Sequence, residues 1–455
     1  AAVSNATIYI AGGTFKPSPG GTNRAATFQL KPGMSLLGGH QGTGTPGIRD
    51  LLAYPTILSG DLLGNDIGLT NNNENVYHVV TGTNNVTIDG LIIRGGNANL
   101  VSGTYNKGGG MYNANCAFTI VNSIFSENAA TNGGGGIYNL SSSGNIQGCT
   151  FSKNQAFITA LGNGGGGILN TNSSPAIQNC IFAGNRAGGA GGGIFNAGAT
   201  AQPFISDCIF TENYGGDGGG VASWRGAPVI SNCVFSGNYG NAGAGIHNYY
   251  GGSPTIVNCV FSGNHDWPAG SGYFGAALCN WIGSSPKVRN CIFVGNSADN
   301  GGCVDNYNAA TSTFENCTFS GNGSINGGGI GNRVKCVTTL SNTIFWANSG
   351  GEIYSTGTSS TRFAYCDITG GWNGSSVSNI SGSTNVDFGG NINADPLFVG
   401  GTSGVWTASA VLSSNGFQSV ATDAGATWIT GELCGKFIQP DTNSISKYVI
   451  VSNTA

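Results

Sequence analysis

Three groups of residues in this 455-residue chain have types and spacings that could do chemistry. The first is ionisable: His247, His265, Asp266, Asp299 and Asp305 fall in one stretch. Glycoside hydrolysis needs a close carboxylate pair, and a polysaccharide lyase needs a base with acidic calcium ligands. The second is sulfur, thirteen cysteines in all, an odd number for a secreted chain with every thiol in a disulfide. The third is aromatic: Trp224, Tyr249, Trp281 and Tyr307 recur at similar intervals, Arg333 follows at the next, and Arg225 neighbours the first. Flat rings with a guanidinium suit stacking on a sugar or a contact with another protein.

The background against which these residues stand is unusual. Only 8% of residues are charged and 81 are Gly, yet 10% are aromatic and 39% hydrophobic, which favours a packed fold over disorder. A net charge of −4 with no basic stripe excludes nucleic acid as an expected partner. No apolar run approaches the roughly 20 residues of a membrane-spanning helix. The chain opens on Ala1-Ala2-Val3-Ser4, as it would after removal of a signal peptide, so an extracellular or cell-surface location is expected.

What must position the candidate residues is a repeat. Phe-x-x-Asn recurs nine times, from Phe125–Asn128 through Phe345–Asn348, and between the copies runs a second signature, GGGMYN at Gly108–Asn113, GGGIYN, GGGILN and GGGIFN. It persists in altered form down to GGGIGN at 327–332. The period is about 26 residues, which fits one coil of three short strands and three turns stacking at about 4.8 Å on the next. The expected fold is all-β: a single-stranded, right-handed parallel β-helix with three strands per coil and about 12–14 coils.

In such a solenoid equivalent residues form columns. Phe125, Phe151, Phe182, Phe210, Phe235, Phe261, Phe293, Phe319 and Phe345 form one inward column. Two residues before each phenylalanine stand Cys149, Cys180, Cys208, Cys233, Cys259, Cys291 and Cys317, with Ser123 and Thr343 in their own coils and Cys366 continuing the row. These are read as small buried space-fillers rather than a metal or redox array. A bend row of asparagines, Asn122, Asn179, Asn232, Asn258, Asn290, Asn316 and Asn342, tolerates left-handed backbone and can bond along the axis. Ile181, Ile209, Val234, Val260 and Ile292 belong to an outward apolar row, a candidate packing face.

In this frame the ionisable group disperses. His247 and Asp305 share an outward, solvated row; Asp299 precedes a glycine turn; His265 and Asp266 lie in an insertion. Glu127 and Lys153 read as a surface ion pair. No catalytic residue, metal ligand or cofactor is assigned. The aromatic set, Trp224, Arg225, Tyr249, Trp281, Tyr307 and Arg333, becomes a binding stripe about 15 Å long over its four rings.

The paired Phe-x-x-Asn and Gly-Gly-x-Ile motifs, over roughly residues 85–370, resemble the repeats of chlamydial polymorphic membrane proteins and of the wider bacterial family of secreted β-helix repeat proteins. That resemblance implies surface adhesion and self-association. The outer-membrane barrel of the chlamydial proteins has no counterpart in this sequence.

Three segments are expected: residues 1–84 as a cap with irregular first coils, 85–399 as the regular helix, and 400–455 as a C-terminal β segment or small module that could serve as an assembly contact. The functional expectation is a non-enzymatic structural or adhesive bacterial protein that associates with copies of itself, head to tail into filaments or a surface layer. Glycans or a surface protein are the other expected partners. The alternative is a polysaccharide-active lyase or hydrolase, or a carbohydrate-binding protein, using the aromatic stripe.

Overall fold

The computed structural model describes residues 3–18, 21–44, 46–158, 163–266 and 274–396, with four two-residue strands beyond them. Those strands form two antiparallel pairs, Val411–Leu412 with Ser419–Val420 and Phe437–Ile438 with Tyr448–Val449. The rest of the expected C-terminal module, Cys434 included, lies outside the described residues.

One coil shows how the sequence makes the fold. Ala117–Val121 belongs to a first sheet, Ile124–Ser126 to a second and Ile137–Leu140 to a third. At the corners stand Asn122, Glu127 and Ser141 with φ of +49°, +54° and +45°. A single left-handed residue turns the chain sharply enough for a strand of three to five residues to follow, and Asn tolerates that conformation best. Repeated, this gives sheets of 14, 13 and 13 strands, paired parallel and in register as a right-handed parallel β-helix of the expected length. Seven coils carry a fourth short strand, from Asn97–Ala98 to His265–Asp266, that three strands per coil does not anticipate. The same three sheets begin at Thr7–Ala11, Gly13–Phe15 and Phe28–Gln29, with long loops leaving the coil between strands.

The interior follows the columns. All nine phenylalanines are fully buried, and successive rings stack with centroids 4.5–5.2 Å apart and planes within 9°. Full burial of one such ring contributes about 1.5–3 kcal/mol, with a further increment from stacking. The cysteine column is buried and its thiols are free. These thiols do more than fill space: Cys180 Sγ donates to the Gln178 carbonyl at 3.1 Å, and Cys208 Sγ to that of Ser206 at 3.1 Å. Ser123 and Thr343 donate to the carbonyl two residues back in the same way, which is why a hydroxyl can replace a thiol there. Cys279 and Cys303 are free and fully buried, and burial pushes both thiols well up, away from reactivity.

Asparagine forms three ladders. The expected bend row is exposed, with Asn258, Asn290 and Asn316 each donating to the row's preceding member at 3.1–3.2 Å. The Asn of each Phe-x-x-Asn is instead buried: Asn185 Nδ2 donates to Asn213 Oδ1 at 3.0 Å and to the Phe151 carbonyl at 2.8 Å. This ladder runs from Asn128 to Asn348 and ends on the buried carboxylate of Glu352. A third ladder lies inside the third sheet, Asn113 to Asn196 and Asn248 to Asn332, interrupted at Ser223.

The glycine signature has two physical origins. In the 165–167 run only Gly165 needs positive φ, +70°. Gly166 and Gly167 need space, since a Cβ on either would meet a carbonyl of the next coil at 2.5–2.6 Å. Glu127 and Lys153 make no ion pair: both occupy left-handed corners, and an exposed pair gains too little to hold two long side chains together.

Candidate functional site

The third-sheet strands Val221–Trp224, Ile246–Tyr249, Leu278–Trp281, Val304–Tyr307 and Ile330–Arg333 build the site. In each, the first residue faces the core, the second faces out, the third lies at the position of the inner ladder (Ser223 interrupting it in the first strand) and the fourth ends the strand facing out. Trp224 is the register partner of Tyr249, and Trp281, Tyr307 and Arg333 are partners in succession. Tyr249 and Trp281 lie 6.3 Å apart between ring centroids, and Trp281 and Tyr307 5.7 Å. Arg225 sits 5.7 Å over the Trp224 ring and Arg333 5.0 Å over that of Tyr307. The structure therefore brings all six expected residues into one row, half-buried except for the exposed Arg225.

Two members of the row were not read from the sequence. Tyr250 bridges the gap between the first two rings, 6.5 Å from Trp224 and 4.1 Å from Tyr249. Phe274 lies 6.2 Å from Trp281 and takes the Arg333 guanidinium at 3.8 Å from its centroid. The Tyr249-Tyr250 doublet was a usable signal; Phe274 follows an insertion and has no place in the repeat frame.

The row rests on a buried charge. Asp305 is 0% exposed. Arg333 donates to it twice, Nε to Oδ1 at 2.8 Å and Nη2 to Oδ2 at 2.6 Å, and Trp281 Nε1 donates to Oδ2 at 3.1 Å. A bidentate, charge-assisted pair fixes the guanidinium plane, and the third bond fixes the indole. His247 meets Trp281 edge-on at 5.2 Å, with its Nδ1 3.7 Å from Asp217. Burial lowers the His247 pKa although Asp217 and Asp305 oppose the shift.

His247 and Asp305 were expected to be solvated. They do face away from the core, but they are 1% and 0% exposed. The reason is the glycine turn, which folds back over this row: a Cβ on Gly301 would meet the Asp305 carboxylate at 2.5 Å, and one on Gly243 would meet His247 Cα at 3.0 Å. The other members of the ionisable group lie elsewhere. His265 stacks on Tyr239, and Asp266 accepts the Asp299 backbone N–H at 2.8 Å. Asp305, with both oxygens engaged under the turn, is placed to hold side chains rather than to reach a substrate.

The bends beside the row are strained. Arg225, Tyr250, Ile282 and Val334 all have φ between +51° and +63°. Ile282 and Val334 are β-branched, for which this conformation is a true outlier. Corresponding bends earlier in the chain use Asn115, Ser141 and Asn172.

The apolar row lies on a different sheet, the second. Ile181, Ile209, Val234 and Val260 are half-buried there and Ile292 is 43% exposed, each paired with its equivalent in the next coil. Among the described residues no helix is long and apolar enough to cross a membrane.

Two comparisons with known proteins bear on this site. None of the curated proteins matches the chain. A family model described as the right-handed beta helix region matches residues 217–334, the coils that carry the row from Trp224 to Arg333.

Proposed function

We propose that this chain is a non-enzymatic adhesive protein of the bacterial cell exterior that holds a carbohydrate along its aromatic row. The observation that carries the reading is the buried Asp305, which fixes the Trp281 indole within a half-exposed line of rings and the Arg333 guanidinium at its end. Rigid aromatic side chains supply contact area at a small entropic cost, and rings fixed in advance lose less on binding. Sugar rings offer apolar C–H faces to stack and hydroxyls for the flanking Arg225 and Arg333. Retention of the parent chain and of Trp281→Ala on a panel of immobilised polysaccharides tests it. Loss of a central ring should weaken binding by about 2 kcal/mol, roughly thirtyfold in Kd. A variant that binds every polysaccharide as tightly as the parent would remove the proposal. Release of unsaturated or newly reducing sugar by the parent would replace it with the lyase or hydrolase reading.

The apolar row supports a second reading, association of copies of the chain. The observation in its favour is a straight outward line of Ile and Val that includes the exposed Ile292. Sedimentation of Ile209→Lys beside the parent checks it. The parent should form larger species as concentration rises while the variant stays monomeric; identical sedimentation of the two ends this reading.

A further inference from the structure

A second site lies at the other end of the solenoid, in the loop of residues 60–79 between Thr56–Ser59 and Val80–Thr81. Twenty residues without a strand are long for a connection inside a regular fold, and such loops tend to have a task of their own. This one carries Asp61, Asp66 and Glu74, whose carboxylates each bring an oxygen within 4.8 Å of the others. None of the ion pairs among the described residues includes them.

Clustered acids alone would mean little. The independent observation is Asn75, which is 0% exposed. Its Nδ2 donates to Asp66 Oδ2 at 2.6 Å and to the Gly95 carbonyl at 2.7 Å, so its amide is fixed against the carboxylates and its orientation is settled. Its Oδ1 has no hydrogen-bond donor, and neither do the buried Asp66 Oδ1 and Glu74 Oε1. Three buried oxygens, on Asn75 and on two of the clustered acids, therefore lack a donor, and an unsatisfied buried oxygen is costly. Asp61 is oriented separately, by the backbone N–H groups of Gly64, Asn65 and Asp66.

The neighbouring cations do not fill the need. Arg24 directs Nε and Nη2 to the carbonyls of Asn75 and Asn97 and to Asn99, and Lys16 donates to the Leu62 carbonyl, so neither makes a hydrogen bond or ion pair with the three acids.

We propose that Asp61, Asp66, Glu74 and the amide oxygen of Asn75 bind a calcium ion that pins the 60–79 loop. Every donor is oxygen, with no His or Cys among them, which selects a hard cation over zinc or copper. Carboxylates drawn from an irregular loop suit the flexible coordination of calcium better than the strict octahedron of magnesium.

Calorimetric titration of the EDTA-treated full chain with CaCl2, together with thermal melts, tests the proposal. The parent should bind one calcium per chain, and its Tm should rise by about 2–4 °C at saturation. Asp66→Asn should bind at least tenfold more weakly while melting no lower than the parent in EDTA, because it relieves like-charge repulsion. Glu74→Gln provides the same comparison should the first variant fail to fold. Trp281→Ala should keep full calcium binding, which separates this site from the carbohydrate row. No binding by the parent up to about 10 mM CaCl2, beyond the range of weak extracellular sites, overturns the proposal. Equal affinity in parent and Asp66→Asn overturns it as well.

Discussion

The third sheet divides into two halves with the same backbone and different outer surfaces. In the strands up to Ile194–Ala197, the outward second position holds Tyr112, Tyr138, Leu169 and Phe195, and three of these join a separate apolar cluster under the glycine turn. The strand-end position there is Ala114, Leu140, Thr171 or Ala197. From Val221–Trp224 onward the arrangement reverses. The covered column becomes Ala222, His247, Cys279 and Asp305, and the large rings move two residues along to the strand end, where they are half-exposed. The phenylalanine stack does not change across this boundary and runs through it with a spacing of 4.7–4.8 Å. One scaffold therefore uses aromatic residues first to seal a covered column and then to face outward. For Trp281 and Arg333 the second use rests on a buried carboxylate, Asp305, that orients them.

The sharpest way to break this contrast is to remove that polar support. Asp305→Ala leaves the Arg333 guanidinium partly buried without its partner, and breaking such a pair costs about 3–5 kcal/mol. A marked fall in Tm is expected. The double variant Asp305→Leu/Arg333→Leu gives the second half a covered column like that of Leu169 in the first. Replacing a buried pair by apolar residues of similar volume is often neutral or stabilising, so most of the lost stability should return. Carbohydrate retention should not return, because the Trp281 indole has lost its anchor. A double variant that is stable and still binds as the parent does would show that the charge beneath the row serves stability alone.

The sequence disclosed whatever the 26-residue frame could carry. Side-chain direction alternates strictly along each strand, so the columns of Phe125 and Cys149 and the row from Trp224 to Arg333 translated directly into space. What failed were judgements of exposure. His247 and Asp305 were placed on the correct side of the sheet, but periodicity does not report a turn folding back over that side. The polarity of the interior was also underestimated. Asn185 and its equivalents were visible as a motif, while their complete hydrogen bonding depends on carbonyls of neighbouring coils. The apolar account of the cysteine column placed Ser123 and Thr343 in the row but did not draw from their hydroxyls the donor role that they share with the thiols. Asp61, Asp66 and Glu74 fall in a loop outside the repeat, where no frame relates one acid to the next.

The boundary between the halves also carries a defect, and repairing it is the gentlest test. The inner asparagine ladder of the third sheet stops at Ser223, the coil in which the exposed row begins. There Asn196 Nδ2, Ser223 Oγ and Asn248 Oδ1 are buried without partners, although equivalent amides on either side bond at 2.8–3.0 Å. A serine is too short to span two coil spacings. Ser223→Asn would place an amide where its oxygen can accept from Asn196 and its nitrogen can donate to Asn248. Each buried hydrogen bond is worth about 1 kcal/mol net, so a gain of roughly 1–2 kcal/mol and a higher Tm are expected. Carbohydrate retention should be unchanged, since the side chain faces the interior while Trp224 faces out. A lower Tm would mean that water already satisfies the gap and that the larger side chain overfills it. A higher Tm with weaker retention would mean that the break in the ladder is part of the row's geometry, and that the two halves differ inside as well as out.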